Sequence, residues 1–387
     1  MATPARQKSG RRVWLALLLL SLPMLTQGAY RGHLKYQALA ADDTDTRSPD
    51  QSLIFRLGLS SGTAGWDFVA DYQLLVEHGE PATTPDDQRR ALDLSADIHH
   101  GKHSTGVHRL DRLSLGYTLD NVALRAGRQA VSWGNGLVYN PMDFFNPFDP
   151  LAVDREYKTG DDMVYLQYLR DSGDDLQAVW VLRRDENGEL KTGVSSAALK
   201  YHSFGQRVEV DLLVARHYDR PVLGLGIVAS PGDAVWRTDL VSTRIDRRRY
   251  HSWVTNLSYA WTAWGHNLSG AIEYYRNGFG IANGDYGAIN LLRHPELTAR
   301  IARGELFSLG RHLLALNATM ELTPLWVLTV SLIDNLDDDS GMLHGLVEHS
   351  LGQDLSLRFA VDLPLGSDAG EFGALPRSFL MQLGRYF

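Results

Sequence analysis

The sequence predicts an all-β protein, a transmembrane antiparallel up-and-down β-barrel of about 18 strands with short periplasmic turns and long extracellular loops. Three observations predict it. Segments of about ten residues alternate apolar and polar side chains, the connections between them alternate between tight and long, and an export-type leader precedes them all.

In the leader, Arg6, Lys8, Arg11 and Arg12 come before the apolar run Val13 to Leu22, followed by Pro23 and the small-residue stretch Thr26 to Ala29. This is the order of a secretory signal, and the run is shorter than the roughly 20 residues that span a bilayer as a helix. Residues 1–28 are therefore expected to be a cleaved signal peptide of the general secretory type, cut after Gly28 or Ala29, leaving 29–387 as one domain. Its removal leaves 38 − 4 = 34 basic against 46 acidic residues, a net charge of −12. A chain so acidic is a poor partner for nucleic acid.

The period of two is clearest where Leu355, Leu357, Phe359, Val361 and Leu363 alternate with Ser356, Arg358, Ala360 and Asp362. Such spacing puts the two sets on opposite faces of a sheet. Trp66 to Glu77 and Val208 to Ala215 repeat it, and Glu209 and Asp211 on the second face need water or partners. In order, strands are expected near 31–40, 51–60, 66–77, 109–119, 121–131, 162–170, 175–184, 196–203, 207–216, 221–229, 234–244, 250–261, 267–276, 308–321, 325–334, 342–350, 354–364 and 377–387.

Short connections include Leu119 to Asn121, Ser203 to Gln206, Ser230 to Asp233, Thr323-Pro324 and Leu351 to Asp354. Long ones include His78 to His108, Ser132 to Asp161, Asn277 to Phe307 and Gly366 to Pro376. An even strand number returns both chain ends to the periplasm. A secreted propeller would instead repeat a blade motif at roughly 40 to 50 residues, and no such repeat is present. The absence of cysteine excludes a disulfide scaffold and thiolate chemistry.

The last strand, Ser378 to Phe387, ends on an aromatic residue after Phe379, Met381 and Leu383 at alternate positions. It resembles the C-terminal signature of Gram-negative outer-membrane barrels. That resemblance implies recognition by the barrel-assembly machinery through Phe379, Met381, Leu383 and Phe387. Arg385 departs from the pattern, and Tyr386 is the residue expected to compensate. Leu124 to Met163, with a Gly-Arg-Gln strand end, a Trp-Gly turn and a long loop, is similar to a stretch of porin-like and alginate-export-like outer-membrane proteins.

In a lipid-embedded barrel the outward faces must be apolar, since an Arg or Lys at the midplane costs about 2 to 4 kcal/mol. The charged strand residues are therefore expected to face a wet lumen: Lys35, Arg56, Asp67, Asp71, Arg125, Lys200, Glu209, Asp211, Arg237, Asp239, Glu273, Arg358 and Asp362. About eighteen strands leave room for an aqueous channel unless loops fill it.

The expected occluder is the loop at 132–161, rich in rings and stiffened by Pro141, Pro147 and Pro150. Trp133, Tyr139, Asp143, Phe144, Phe148, Asp149 and Asp154 are its candidate constriction residues, and its rings and acids also suit stacking on a sugar. Tyr286 to Leu306 has a helical pattern that Pro295 begins or interrupts, and could cap the pore. His99, His100, His103 and His108 could bind zinc or copper, but Lys102 among them favours a solvated loop, and no metal or cofactor is assigned.

These features point to an outer-membrane channel for passive passage of small polar solutes, since no phosphate-binding motif is evident. Its partners are expected to be outer-membrane lipid, the barrel-assembly machinery and a small polar solute or polysaccharide. Export of an alginate-like polysaccharide, a hydrolase on the barrel rim and a nonconducting adhesion barrel are the alternatives. No spacing singles out a Ser-His-Asp set.

Overall fold

The computed structural model describes residues 28–42, 49–79 and 89–387. All but the end of the expected leader lies outside them. The strands are β1 (Ala29–Ala41), β2 (Asp50–Thr63), β3 (Trp66–His78), β4 (Ser95–His100), β5 (Ser104–Leu119), β6 (Val122–Gln129), β7 (Asp161–Leu169), β8 (Asp175–Val181), β9 (Ser196–Ser203), β10 (Val208–His217), β11 (Arg220–Ala229), β12 (Val235–Ile245), β13 (Arg248–Ala263), β14 (His266–Arg276), β15 (His312–Thr323), β16 (Trp326–Asn335), β17 (Ser340–Ser350), β18 (Leu355–Leu365) and β19 (Ser378–Tyr386). Two helices, α1 (Ala288–Leu291) and α2 (Pro295–Ala302), lie between β14 and β15. Pro295 begins α2, where its missing N–H costs nothing.

Each strand pairs antiparallel with its neighbours, and β1 pairs with β19 from His33↔Tyr386 to Ala41↔Ser378, which closes the ring. Strand β4 pairs with β5 alone while β3 also pairs with β5, so β4 is a side ribbon and eighteen strands form the barrel. Strand β4 goes unpredicted because Ser95 to His100 is short and has only two apolar residues, Ala96 and Ile98, before a polar histidine-rich turn.

Eight tight turns and both described chain ends share one rim. Ala64-Gly65 and Trp264-Gly265 there have positive φ at both central residues, the geometry that matches strand twist in two-residue hairpins. The opposite rim carries the long loops, with a correction: β10 and β11, β12 and β13, and β16 and β17 are joined there by tight turns. Tyr218-Asp219 supplies two positive-φ residues without a glycine, which made that turn invisible to a search for Gly and Pro clusters.

Period two decides the two faces. On β10, Asp211, Leu213, Ala215 and His217 are buried, while Leu212 and Val214 stand exposed on the outer wall. On β19, Phe379, Met381, Leu383 and Phe387 face outward, with Phe387 stacked on Phe55 at 6.4 Å. Tyr386 turns inward, where its hydroxyl donates to Glu156 at 2.9 Å, so it does not compensate for Arg385 on the outer face. A register shift between β3 and β5 at Asp71/Tyr72 leaves Asp111 as the extra residue of a bulge. The bulge lets it meet Arg56 at 2.5 Å and Arg109 at 2.7 Å.

The apolar core lies inside the barrel toward the loop rim. There Val179, Val181, Leu213, Val222 and Val241 of the wall pack against Trp133, Met142, Phe144 and Phe145 of a loop. Substituting Val214 by Arg is expected to destabilise the barrel by up to about 2 to 4 kcal/mol, scaled by its depth in the bilayer. Ser331→Arg on the inner face is expected to cost less. Denaturant titration of both variants in lipid vesicles checks this, and equal costs would contradict the assigned faces.

Candidate functional site

The segment 130–160, between β6 and β7, enters the barrel and runs around its inner wall. Gly127 leaves the last turn of β6 at φ 120°, and a Cβ there would lie 2.1 Å from the Leu113 carbonyl oxygen. Gly134, at φ 93°, brings the loop against the wall; a Cβ would meet the Asp239 carboxylate at 2.9 Å. The indole of Trp133 donates to Gln177 on β8 at 2.6 Å.

The next residues have no sheet partner, so their buried N–H groups need acceptors. Asn135 donates its backbone N–H and its amide to Asp239 on β12 at 2.6 and 2.7 Å. The N–H groups of Leu137, Val138 and Tyr139 converge on the carboxylate of Glu273 on β14 at 2.6, 3.0 and 2.8 Å. Asn256 on β13 donates to both the Asn135 carbonyl and Glu273. Charged acceptors make the strongest bonds of this kind.

The returning limb takes the opposite wall. Lys35 on β1 holds Asp154 at 2.6 Å and Glu156 at 2.8 Å, and Arg358 on β18 reaches Glu156 at 3.0 Å. Burial alone would raise both acids, but Lys35 outweighs it and holds each below the ordinary carboxylate range. The guanidinium of Arg56 on β2 lies 4.0 Å from the centre of the Tyr157 ring. Lys158 closes the circuit, donating to Asp143 at 2.5 and 2.6 Å and to the Val131 carbonyl at 2.6 Å. The loop thus touches the wall from β8 round through β14 and again from β18 to β2.

The charged residues expected in the lumen fall into two groups. Arg56, Asp71, Lys200, Asp211, Asp239 and Glu273 are buried. Lys200 meets Asp211 at 3.0 Å, and Asp71 faces Arg112 across β3 and β5. Asp67, Arg125, Glu209, Arg237, Arg358 and Asp362 stay partly exposed. Arg125 lies 3.3 Å from Asp67, Arg237 donates to Ser258 at 2.9 Å, and Asp362 meets His344 at 2.6 Å.

Among the loop candidates, Trp133, Tyr139, Asp143 and Phe144 are buried, while Phe148, Asp149 and Asp154 are half-buried. Tyr139 stacks on Tyr275 at 4.8 Å, and Phe144 packs at a tilt against His217 at 4.8 Å. These two rings are therefore occupied, which corrects the expectation that they would stack on a sugar.

Two clusters escaped the sequence reading. Ser196 Oγ lies 2.8 Å from His217 Nδ1, and His217 Nε2 lies 3.0 Å from Glu305. All three are buried, and Ser196 also accepts Arg183 at 2.8 Å, so the serine is sealed within the wall. Glu371, in the loop between β18 and β19, accepts Leu309 N–H at 2.6 Å, Gly310 N–H at 2.9 Å and the Asn335 amide at 2.7 Å. Neither is visible to local patterning, because every partner comes from a distant strand or loop. His99 and His100 lie exposed on β4, and among the described residues no three or more His, Cys, Asp or Glu side chains gather as a metal site.

No protein-family model matches the chain, and no curated protein matches it. Among solved structures it is similar to OccAB2 of Acinetobacter baumannii, at 10% identity over 95% of this chain and 99% of that one, with a TM-score of 0.57. A BenF-like porin from Pseudomonas fluorescens Pf-5 matches at 11% identity over 94% and 99%, with a TM-score of 0.57. The chain has the porin barrel fold. OpdK of Pseudomonas aeruginosa shares this porin fold at 12% identity over 93% of this chain and 98% of that one, with a TM-score of 0.55.

Glu273→Gln keeps the shape of the side chain but removes the charge that three loop N–H groups share. Bonds to charged groups contribute about 1.5 to 3 kcal/mol, so amide exchange at Leu137 to Tyr139 should accelerate while the strands stay protected; unchanged exchange would refute the anchoring role. Glu371 is pushed up to about 7, chiefly by burial and then by Asp338, against its N–H donors. Between the ordinary glutamate value and about 7, the closed rim holds a proton that an opened rim would release. Rim stability should therefore rise on acidification from pH 7 toward 5 and fall above 7. Thermal midpoints across this range should lose that slope in Glu371→Gln.

Proposed function

We propose that the chain is an outer-membrane channel through which small polar solutes pass passively, and that loop 130–160 sets its narrowest section. The observation that carries this reading is the loop itself. It lies inside a closed barrel and is bonded to the wall on opposite sides, through Asp239 and Glu273 and through Lys35 and Arg358. Partly exposed Asp67, Arg125, Glu209, Arg237 and Arg358 line the lumen on the side of the tight turns and suit water there, and an apolar outer face suits a bilayer.

The tight-turn rim is read as periplasmic and the loop rim as extracellular. Residues 1–28 act in export on this reading, and the outward Phe379, Met381, Leu383 and Phe387 serve recognition by the barrel-assembly machinery. OpdK was solved with vanillate, so small organic solutes of that size are the first to try.

Purified protein in planar lipid bilayers should give discrete conductance steps, and deletion of Asn140 to Pro150 should raise the single-channel conductance. A folded but silent preparation would remove the channel reading. Conductance unchanged by the deletion would remove the loop from the constriction.

A further inference from the structure

The loop between β14 and β15, which carries α1 and α2, reaches the wall at β10 through one carboxylate. Glu305 has both oxygens engaged. His217 Nε2 lies at 3.0 Å, Arg303 Nε at 2.5 Å and Arg300 at 2.8 Å, and the side chain is 6% exposed. The contact continues behind His217. Ser196 bridges it to Arg183, whose other nitrogen meets Asp161 on β7 at 2.7 Å. Against the same imidazole pack two rings of loop 130–160, Phe144 tilted at 4.8 Å and Phe145 perpendicular at 6.0 Å. Phe145 in turn meets Trp133 edge-on at 5.7 Å. His217 is thus the point where the helical loop, the wall and the inward loop meet.

We propose that Glu305 is a positioning residue for the passage, holding Phe144 and Phe145, and with them the middle of loop 130–160, by fixing the His217 ring on which they rest. This builds on the reading of that loop as the constriction. A buried carboxylate shared by two guanidinium groups is strongly bound, and removing it leaves Arg300 and Arg303 without their acid, and the His217 imidazole without its neighbour, in a place shielded from water. The guanidinium groups then gain by turning toward solvent, which loosens the C-terminal end of α2 and frees the imidazole.

The seam between the two loops is not closely packed. A cavity of about 40 Å³ lies there, bordered by Asn140, Phe144, His217, Arg300 and Glu305. Asn140 Oδ1, His217 Nε2 and Arg300 Nε lack an aligned hydrogen-bond partner within the protein, so the 3.0 Å approach of His217 to Glu305 is a close polar contact. Polar atoms around a space of this size suit bound water, while the other side of α2 is held by Leu297, packed with Ile245, Phe279 and Ile281.

The test uses Glu305→Gln, Glu305→Asp and His217→Gln in the full-length protein, with Asp185→Asn, an exposed ion pair in another loop, as control. Barrel closure is checked first by the heat-dependent shift in gel mobility, which reports the strands and not the loops. In planar bilayers, Glu305→Gln should visit conductance substates at least about fivefold more often than wild type. Glu305→Asp should restore most of the wild-type trace, and Asp185→Asn should match it.

Hydrogen exchange supplies the second readout. Residues 139–148 should exchange faster in both Glu305→Gln and His217→Gln, while α2 loosens only in the former. Wild-type exchange at 139–148 in Glu305→Gln would overturn the proposal, and acceleration there in Glu305→Gln but not in His217→Gln would overturn the route through the imidazole. A silent wild-type protein would sink the channel reading alone, since the exchange measurements would still decide whether Glu305 positions the loop.

Discussion

In hydrocarbon, a backbone N–H or C=O without a partner has no water to turn to, and this constraint governs the whole molecule. It forces every strand to pair on both sides, so β19 must return to β1 and the sheet has no free edge. Closure then imposes two unlike faces on each strand, because the outside is acyl chain and the inside is enclosed. Leu212 and Val214 against Asp211 and His217 on β10 are the local form of that division.

The same constraint reappears inside. A loop folded into a barrel carries its own N–H groups away from bulk water and has no neighbouring strand to receive them. The wall answers with carboxylates at the heights where the loop passes, Asp239 for Asn135 and Glu273 for Leu137 to Tyr139. On the other side the arrangement is reversed, with wall cations Lys35 and Arg358 receiving loop acids Asp154 and Glu156. Charges that a sequence shows merely as inward-facing are thus divided between those that hold the loop and those left near solvent.

How much was legible follows from the range of each interaction. Strand periodicity is local, so all eighteen barrel strands could be read, along with the inward loop, the helical segment at Pro295 and the outward row on the last strand. A segment as short as β4, with only Ala96 and Ile98 apolar, gave too little signal. Tyr218-Asp219 forms a hairpin without glycine, so the tight turn on the loop rim was hidden. The direction of Tyr386 depends on register with β1 and on Glu156, which lies 230 positions away in the chain. Ser196, His217 and Glu305 belong to β9, β10 and a loop beyond β14, and only closure of the ring brings them into line.

A division of labour between wall and loop follows from these contacts. Buried Glu273 and Asp239 are sealed beneath the backbone they hold, so their charge is shielded from the lumen. Beside them the loop leaves Leu137 41% exposed, and on the returning limb it exposes Arg155 and Glu156. On the channel reading proposed above, the chemistry offered at the narrow section is set by loop residues, while the wall acids and His217 set where those residues stand. Substitution at a buried wall position changes the passage by moving the loop, whereas substitution on the loop changes what the passage presents. The two kinds of variant should differ in character even when they alter conductance by the same amount.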